Sequence, residues 1–314
     1  LYNLAAFNTF TQLGVVSSFS DESCSYPTLI LGAILKLIHF NMIKRITSYL
    51  IIFASLLFLS CGIPKQAEPK VFLVGTVHNK TNSFNADSIY SLLVRYKPDI
   101  ILMELDSSFF YEDFTYRTLF DGNEMIASVR YKMNFPQVNI RPIELEGREE
   151  IRQQLGVFPE ITNEFGQILN TLIATHKLNQ TEKAAIERLF YYDSIATLYK
   201  TKTLREINQT RLDVVSDSLN YFKYFKLKEI ADKYDLFETT KLKDAKGDSV
   251  SIRKNFELYV DFEMNQRNNS LAKNSIDLIN QNPTKKVMIL VGFSHRYYLL
   301  DKLKNQKIQV QCEF

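Results

Sequence analysis

Two short segments share one pattern of chemically capable residues. Leu73-Val74-Gly75-Thr76-Val77-His78 and Leu290-Val291-Gly292-Phe293-Ser294-His295 both read L-V-G-x-x-H at the end of an apolar run. With 4 His and 10 Gly in the chain, a random order yields roughly 0.1 G-x-x-H matches, so two are not expected by chance. An imidazole three residues past a strand-ending glycine can bend back over the strand. There it can serve as metal ligand, general base or hydrogen-bond donor. Glycine allows a sharp turn and a close approach of ligand to backbone, which makes Gly75 and Gly292 candidate ligand-contacting positions. Glu104 closes a second apolar run, Ile100 to Met103, and Glu144 closes a candidate third strand, Val138 to Ile143. His78, His295, Glu104 and Glu144 together form a ligand set for a divalent transition metal ion such as Mn, Co, Zn or Fe. Each also has a plainer reading. A histidine after a strand can be a cap or a surface group, Glu104 can simply precede a loop, and Glu144 can belong to a solvated acidic face with Glu146, Glu149 and Glu150. His176 reads as structural, at the end of an amphipathic helix where the dipole favours a cation.

Convergence of these side chains requires a particular scaffold. Val71 to Val74, Ile100 to Met103 and Val287 to Val291 are continuous apolar runs, the pattern of strands buried on both faces of a parallel sheet. Between the first two, Asn85 or Asp87 can cap a helix running to Tyr96, which Lys97-Pro98-Asp99 breaks. Strand, helix and strand then form a βαβ unit. From about Glu146 to Gln281 apolar residues fall at helical spacing, for example Leu212, Val215, Leu219 and Phe222. A short helix is expected at Leu299 to Leu303 and an edge strand at Lys307 to Phe314. The expected fold class is α/β, a mostly parallel central sheet with flanking helices and a large helical insertion at about 150–280. In open parallel sheets ligands bind beyond the carboxyl ends of the strands, where the histidines and glutamates stand.

The 314 residues are 46% hydrophobic and 23% charged, with a net charge of +3. That is a globular composition without a dense basic run, so nucleic acid is not an expected partner. No P-loop or G-x-G-x-x-G supports nucleotide chemistry, and no H-E-x-x-H supports a zincin. Gly292-Phe293-Ser294-His295-Arg296 begins like a nucleophile elbow but lacks the final Gly. Met42 opens a segment with basic Lys44 and Arg45, an apolar stretch Ile46 to Ser60, and Cys61. The stretch suits a signal-peptide core better than a membrane span. Leu59-Ser60-Cys61-Gly62 resembles the processing site of bacterial lipoproteins, with Phe58 in place of the usual Leu. The resemblance implies a signal peptide at 42–60, lipidation of Cys61, a tether at 61–70 and a domain at 71–314 held at the cell envelope, on the periplasmic side. The alternative is an uncleaved signal anchor. Residues 1–41 read as an upstream extension of the reading frame. With Cys61 acylated, Cys312 has no disulfide partner and no Cys-based zinc site forms.

Val71 to Phe109 resembles the opening of the TraB/GumN and Tiki proteins, a group that also contains erythromycin-esterase-like and ChaN-like proteins. The shared pattern is a strand, G-x-x-H (Gly75, His78), a helix, P-D (Pro98, Asp99), a strand and E-L (Glu104, Leu105). The second G-x-x-H is matched by Gly292 and His295. An Arg-Asn on a preceding helix is matched by Arg267-Asn268 in FEMNQRNNSLAKN. About residues 150–250 show no such match. The resemblance implies an α/β core and a site built by both ends of the chain, with His78, Glu104, His295 and Arg267 as catalytic candidates. Arg267 is expected to hold an anionic intermediate or orient Glu104, or else to pair with Glu263 on a helix surface. Two functions follow as expectations. One is a metal-dependent hydrolase of peptide or ester bonds, its substrate a peptide or small molecule of the envelope. The other is an envelope protein that binds iron, haem or another ligand without turnover, an option that Tyr297 and Tyr298 beside His295 keep open.

Overall fold

Three runs in the sequence are apolar enough to be covered on both faces, and they form the middle of the sheet. Every residue of β1 (Val71–Thr76), β2 (Ile100–Met103) and β6 (Val287–Gly292) is buried. The computed structural model describes residues 70–314 apart from 157–160, 176, 200, 240 and 244–246. Residues 1–69, with Cys61 and the signal-peptide and tether segments, lie outside the described residues, as does His176.

In chain order, β1 leads through α1 (Ala86–Tyr96) to β2, and through α2 (Asn123–Asn134) to β3 (Asn139–Pro142). Asn85 caps α1 by accepting a hydrogen bond from the Ser88 N–H, and the left-handed Lys97 ends it ahead of Pro98. The helical block follows as α3 (Arg148–Leu155), α4 (Ile161–Ala174), α5 (Gln180–Tyr199), α6 (Leu204–Ile207) and α7 (Thr210–Asn220). A π-helix (Tyr221–Lys226), α8 (Leu227–Lys233) and α9 (Leu236–Thr239) come next. A small antiparallel hairpin of β4 (Lys241–Lys243) and β5 (Ser249–Ser251) interrupts the helices. Then α10 (Ile252–Val260), a second π-helix (Asp261–Arg267) and α11 (Asn268–Gln281) run without a break into each other. The chain ends with β6, α12 (Phe293–Asn305) and β7 (Val310–Gln311).

The five-stranded sheet has the order β3-β2-β6-β1-β7, and all its strand pairs are parallel. This is an α/β fold of the expected class. The expected βαβ unit is present, with β6 inserted between its two strands. The connection leaving β1 crosses toward β2, while the one leaving β6 crosses the other way to β7. The two connections leave on opposite faces of the sheet, toward α1 after β1 and toward α12 after β6, and such a divergence beyond the strand ends is where open α/β sheets take ligands.

Side chains alternate between two cores. Phe72, Val74, Ile101, Met103, Met288 and Leu290 face α1 and α2. Leu73, Leu102, Ile289 and Val291 face α11 and α12. The helical block has a third core of its own, built on residues such as Leu172, Ile186, Tyr224 and Phe256. Two expectations change at the C-terminal end. The last helix starts at Phe293 instead of Leu299, because Gly292 (φ −50°, ψ 134°) turns the strand straight into the helix with no loop. The edge strand shrinks from eight expected residues to Val310–Gln311.

Candidate active site

The two L-V-G-x-x-H segments lie side by side, but staggered by one residue. Gly75 pairs with Val291, and Thr76 pairs with Gly292. A one-residue slip reverses the face to which a strand position points. The two glycines therefore do different work. A side chain at Gly75 would meet Arg296 Cδ at 2.9 Å and Phe293 Cα at 3.2 Å, so this glycine lets α12 pack on β1. Its N–H donates to Asn208 Oδ1 (2.7 Å), and its carbonyl accepts from Asn208 Nδ2 (2.9 Å). Gly75 thus contacts protein, not the cleft. At Gly292, a Cβ would stand 3.2 Å from His78 Nε2 and 3.3 Å from Glu104 Oε2. The Gly292 backbone has negative φ, so its conformation does not demand glycine. What glycine supplies there is relief from crowding, since a side chain would press on both an imidazole and a carboxylate.

His78 follows β1 and is half exposed, its side chain 58% accessible. Its Nδ1 lies 2.8 Å from Glu124 Oε1. An ionised carboxylate can only accept, so Nδ1 carries a proton and Nε2 is left facing the gap at Gly292. The Glu124 hydrogen bond raises the His78 pKa to about 9, against the opposing effect of burial. Glu124 is buried in the first turn of α2 and also accepts from the Thr76 hydroxyl. Asn123 ties the same turn to the His78 loop: its N–H donates to the His78 carbonyl (2.9 Å) and Nδ2 to the Val77 carbonyl (2.8 Å). The sequence offered no sign of Glu124. An acidic residue opening a helix reads as a partner of the dipole, and its separation from His78 fits no local motif.

On the other side of Glu104 lies a buried ionic lattice. Arg267 Nη2 donates to Glu104 Oε1 (2.5 Å) and Glu144 Oε2 (2.8 Å), and Nε donates to the same Glu144 oxygen (2.9 Å). Nη1 donates to Glu263 (3.2 Å) and to His295 Nε2 (3.1 Å). Both expected partners of Arg267, Glu104 and Glu263, are therefore engaged at once. A guanidinium can only donate, so His295 Nε2 accepts and its Nδ1 carries the proton, given to Asn268 Oδ1 at 2.7 Å. Burial, aided by the charge of Arg267, holds His295 below its ordinary pKa, so the ring is neutral near pH 7. Burial alone would raise the Glu104 carboxyl. His295 when charged, Arg267, His78 and the Gly292 N–H (2.5 Å) outweigh it and hold Glu104 at about 2. The π-helix ahead of α11 matters here. Its wider turn presents the consecutive residues Arg267 and Asn268 to one site, a recurrent use of π segments.

This donor set does not suit a divalent metal ion. Glu104, Glu144 and His295 Nε2 all converge on the Arg267 guanidinium, a permanent cation seated where their lone pairs meet. The remaining histidine, His78, stands on the far side of Glu104. Among the described residues no group of three or more His, Cys, Asp or Glu side chains is arranged to hold a metal ion. Neither is His295 free for a haem iron, since both ring nitrogens are engaged. Its neighbour Tyr297 accepts from Asn220 Nδ2 (3.0 Å) through its hydroxyl, and Tyr298 donates to Asn269.

A cleft of about 400 Å³ opens over the site. His78, Glu104 and Arg267 line it together with Arg148, Phe109 and Phe120. Arg148 also bonds Glu144 (3.3 Å) and Glu149 (2.7 Å). The arrangement offers one accessible titrating imidazole with its own carboxylate partner, an ionised carboxylate lining the same cleft, and a cavity large enough for a small molecule.

No protein-family model matches the chain, and no curated protein matches its sequence. Among solved structures, an erythromycin esterase mutant in its open conformation is similar at 16% identity, with a TM-score of 0.26. The match covers 71% of this chain and 60% of that one, so the chain spans three-fifths of that protein's length. A likeness this weak says nothing of what the chain does, and the site's own geometry has to carry its chemistry.

Proposed function

We propose that this protein is a hydrolase of ester-type bonds, working by proton transfer through His78. The observation that supports this reading is the Glu124–His78 pair, whose Nε2 and Glu104 Oε2 both border the position a Cβ of Gly292 would take, with a gap between them. In its neutral form His78 takes a proton from a water in that gap as the water oxygen attacks the substrate carbonyl carbon. Glu124 stabilises the imidazolium that forms, and Nδ1–H keeps the ring in register. The tetrahedral intermediate collapses, the C–O bond to the leaving group breaks, and His78 Nε2–H returns the proton to the leaving oxygen. Acid and alcohol are the products. Glu104 accepts the second hydrogen of the water and orients it. Arg267 keeps Glu104 ionised, and His295, neutral and pinned by Asn268, fixes Arg267 in turn. A peptide bond, with a poorer leaving group, places a heavier demand on the same proton donor. We place the domain at the cell envelope on the strength of the segment from Lys44 to Cys61.

The test is hydrolysis of activated esters and of peptides by the purified protein, with and without a chelator. Ester cleavage indifferent to chelator is expected, with His78→Ala and Glu104→Gln each reducing it about 10²- to 10⁴-fold. Undiminished cleavage by His78→Ala would overturn the proposal.

A further inference from the structure

The residues that join the two carboxylates of the site form a structure of their own. Between Glu104 and Glu124 the chain makes a short folded lip. Its first turn, Ser107–Phe109, is capped by Asp106, and Glu146 accepts from the Ser107 hydroxyl at 2.6 Å. Phe110 and Tyr116 pair as an isolated antiparallel bridge, and their rings pack 4.9 Å apart. The Tyr116 hydroxyl is hydrogen-bonded to Ser128 on α2 at 2.8 Å. The lip is therefore tied down at both ends and in the middle, yet it holds large apolar side chains in the open. Leu119 is 64% exposed, Tyr111 53% and Phe120 42%.

Phe120 is aimed, not stray. A Cβ at Gly122 would lie 2.6 Å from its ring, so glycine lets the ring fold back over the chain. In that position it meets Phe109 edge to face, with centroids 5.8 Å apart at 71°. Both rings line the same cleft as His78 and Glu104. Exposed apolar surface held rigid at the mouth of a polar cleft marks a binding surface.

We infer that the substrate carries a bulky apolar group beside its scissile bond, and that Phe109 and Phe120 seat it. This inference rests on the hydrolase reading for its chemistry. The occupant is the substrate itself, because Phe109 and Phe120 line the same cleft as His78 and Glu104, and the lip runs from Glu104 to Glu124. The lip residues act on specificity and touch no proton in the reaction.

A series of 4-nitrophenyl esters from acetate to decanoate tests the inference. In the wild-type protein kcat/KM should rise about two- to fourfold per added methylene over the first several carbons, mainly through KM. Phe120→Ser should flatten that slope, whereas Leu119→Ser, exposed on the same lip but outside the cleft lining, should leave it as in the wild type. Binding of sodium decanoate below its micelle concentration, measured by isothermal titration calorimetry, separates the lip from catalysis. If no ester is cleaved but decanoate binds and Phe120→Ser loses it, the lip stands and the hydrolase reading falls. If esters are cleaved with no dependence on chain length, or with the same slope in Phe120→Ser, the lip inference is overturned.

Discussion

Replacing Glu124 by Gln isolates the one interaction that sets the titration of His78. The hydrogen bond to Glu124 is the largest cause of its displacement, from 6.5 to about 9. Without the carboxylate the ring should titrate near 6.5, a fall of about 2.5 pH units. At pH 7 a ring with pKa 9 is neutral in about 1% of molecules, and one with pKa 6.5 in about three-quarters. If neutral His78 is the base, wild-type kcat/KM climbs about tenfold per pH unit from 6 and levels off near 9. In Glu124→Gln the midpoint moves to about 6.5–7. The plateau drops about 10²- to 10⁴-fold, because the amide no longer holds the productive tautomer or stabilises the imidazolium. Proton NMR of the imidazole resonances checks the pKa without any substrate. The chain has four histidines, and His78→Asn identifies the signal. A resonance still titrating near 9 in Glu124→Gln, or a flat wild-type rate profile between pH 6 and 9, would refute the assignment. Stability is linked with a definite sign. A folded pKa above the unfolded one contributes stability below pH 6.5, and that stability disappears as pH rises through about 9. With the imidazole 58% accessible, solvent screening reduces this contribution to on the order of 1 kcal/mol.

Gly292→Ala should uncouple activity from folding. Its φ of −50° is open to alanine, so stability should change by less than about 1 kcal/mol in a urea melt. The methyl, 3.2 Å from His78 Nε2 and 3.3 Å from Glu104 Oε2, should cut kcat/KM at least about 100-fold; full activity in this variant would mean that the gap is not the reaction site. Arg267→Ala leaves Glu104, Glu144 and Glu263 without their shared cation and should cost about 3–5 kcal/mol. The vacated centre, with three carboxylates and His295 Nε2 around it, should then bind Mn²⁺ or Zn²⁺ and regain thermal stability with it. Wild-type protein should show no such shift, and a metal-dependent melting temperature in the wild type would contradict the role given to Arg267. Palmitate labelling in cells should disappear in Cys61→Ala if the envelope anchor is real.

The parts of this molecule that could be read from the sequence share a physical property: each depends on residues close together in the chain. Buried strands appear as apolar runs, so β1, β2 and β6 were legible, and so was the position of His78, Glu104 and His295 just beyond their ends. Asn85 announced a helix start through its own side chain. Register is a different matter. The two L-V-G-x-x-H segments look equivalent in one dimension, and nothing in either shows that pairing would be staggered. That single residue of slip decides that Gly292 borders the cleft while Gly75 packs under α12. The helix after β6 was foreshortened for a related reason. Phe293, Ser294 and Tyr297 do not make an amphipathic stripe, because one side of the helix lies on the sheet and the other meets α7 and α11.

Glu124 is hidden in the sequence, and Arg267, which the sequence offers as a site candidate, takes its meaning from its partners. Glu124 becomes a catalytic candidate only because α2 begins beneath the His78 loop, held there by two hydrogen bonds from Asn123. Arg267 changes the chemistry more deeply. Two histidines and two glutamates at strand ends are a reasonable description of a metal site until a fifth residue, more than 120 positions after Glu144 and 28 before His295, brings a positive charge into their midst. The wide turn of the π-helix delivers that charge, and no periodicity in the sequence marks it. A guanidinium in this place has consequences that an ion would not have. It cannot exchange with solvent and cannot polarise a substrate carbonyl from an open coordination position. It fixes Glu104 in the ionised state instead, which leaves the accessible imidazole of His78 as the candidate proton carrier of the cleft. The acid–base reading therefore follows from the same side chain that displaces the metal, and both stand or fall with the position of Arg267.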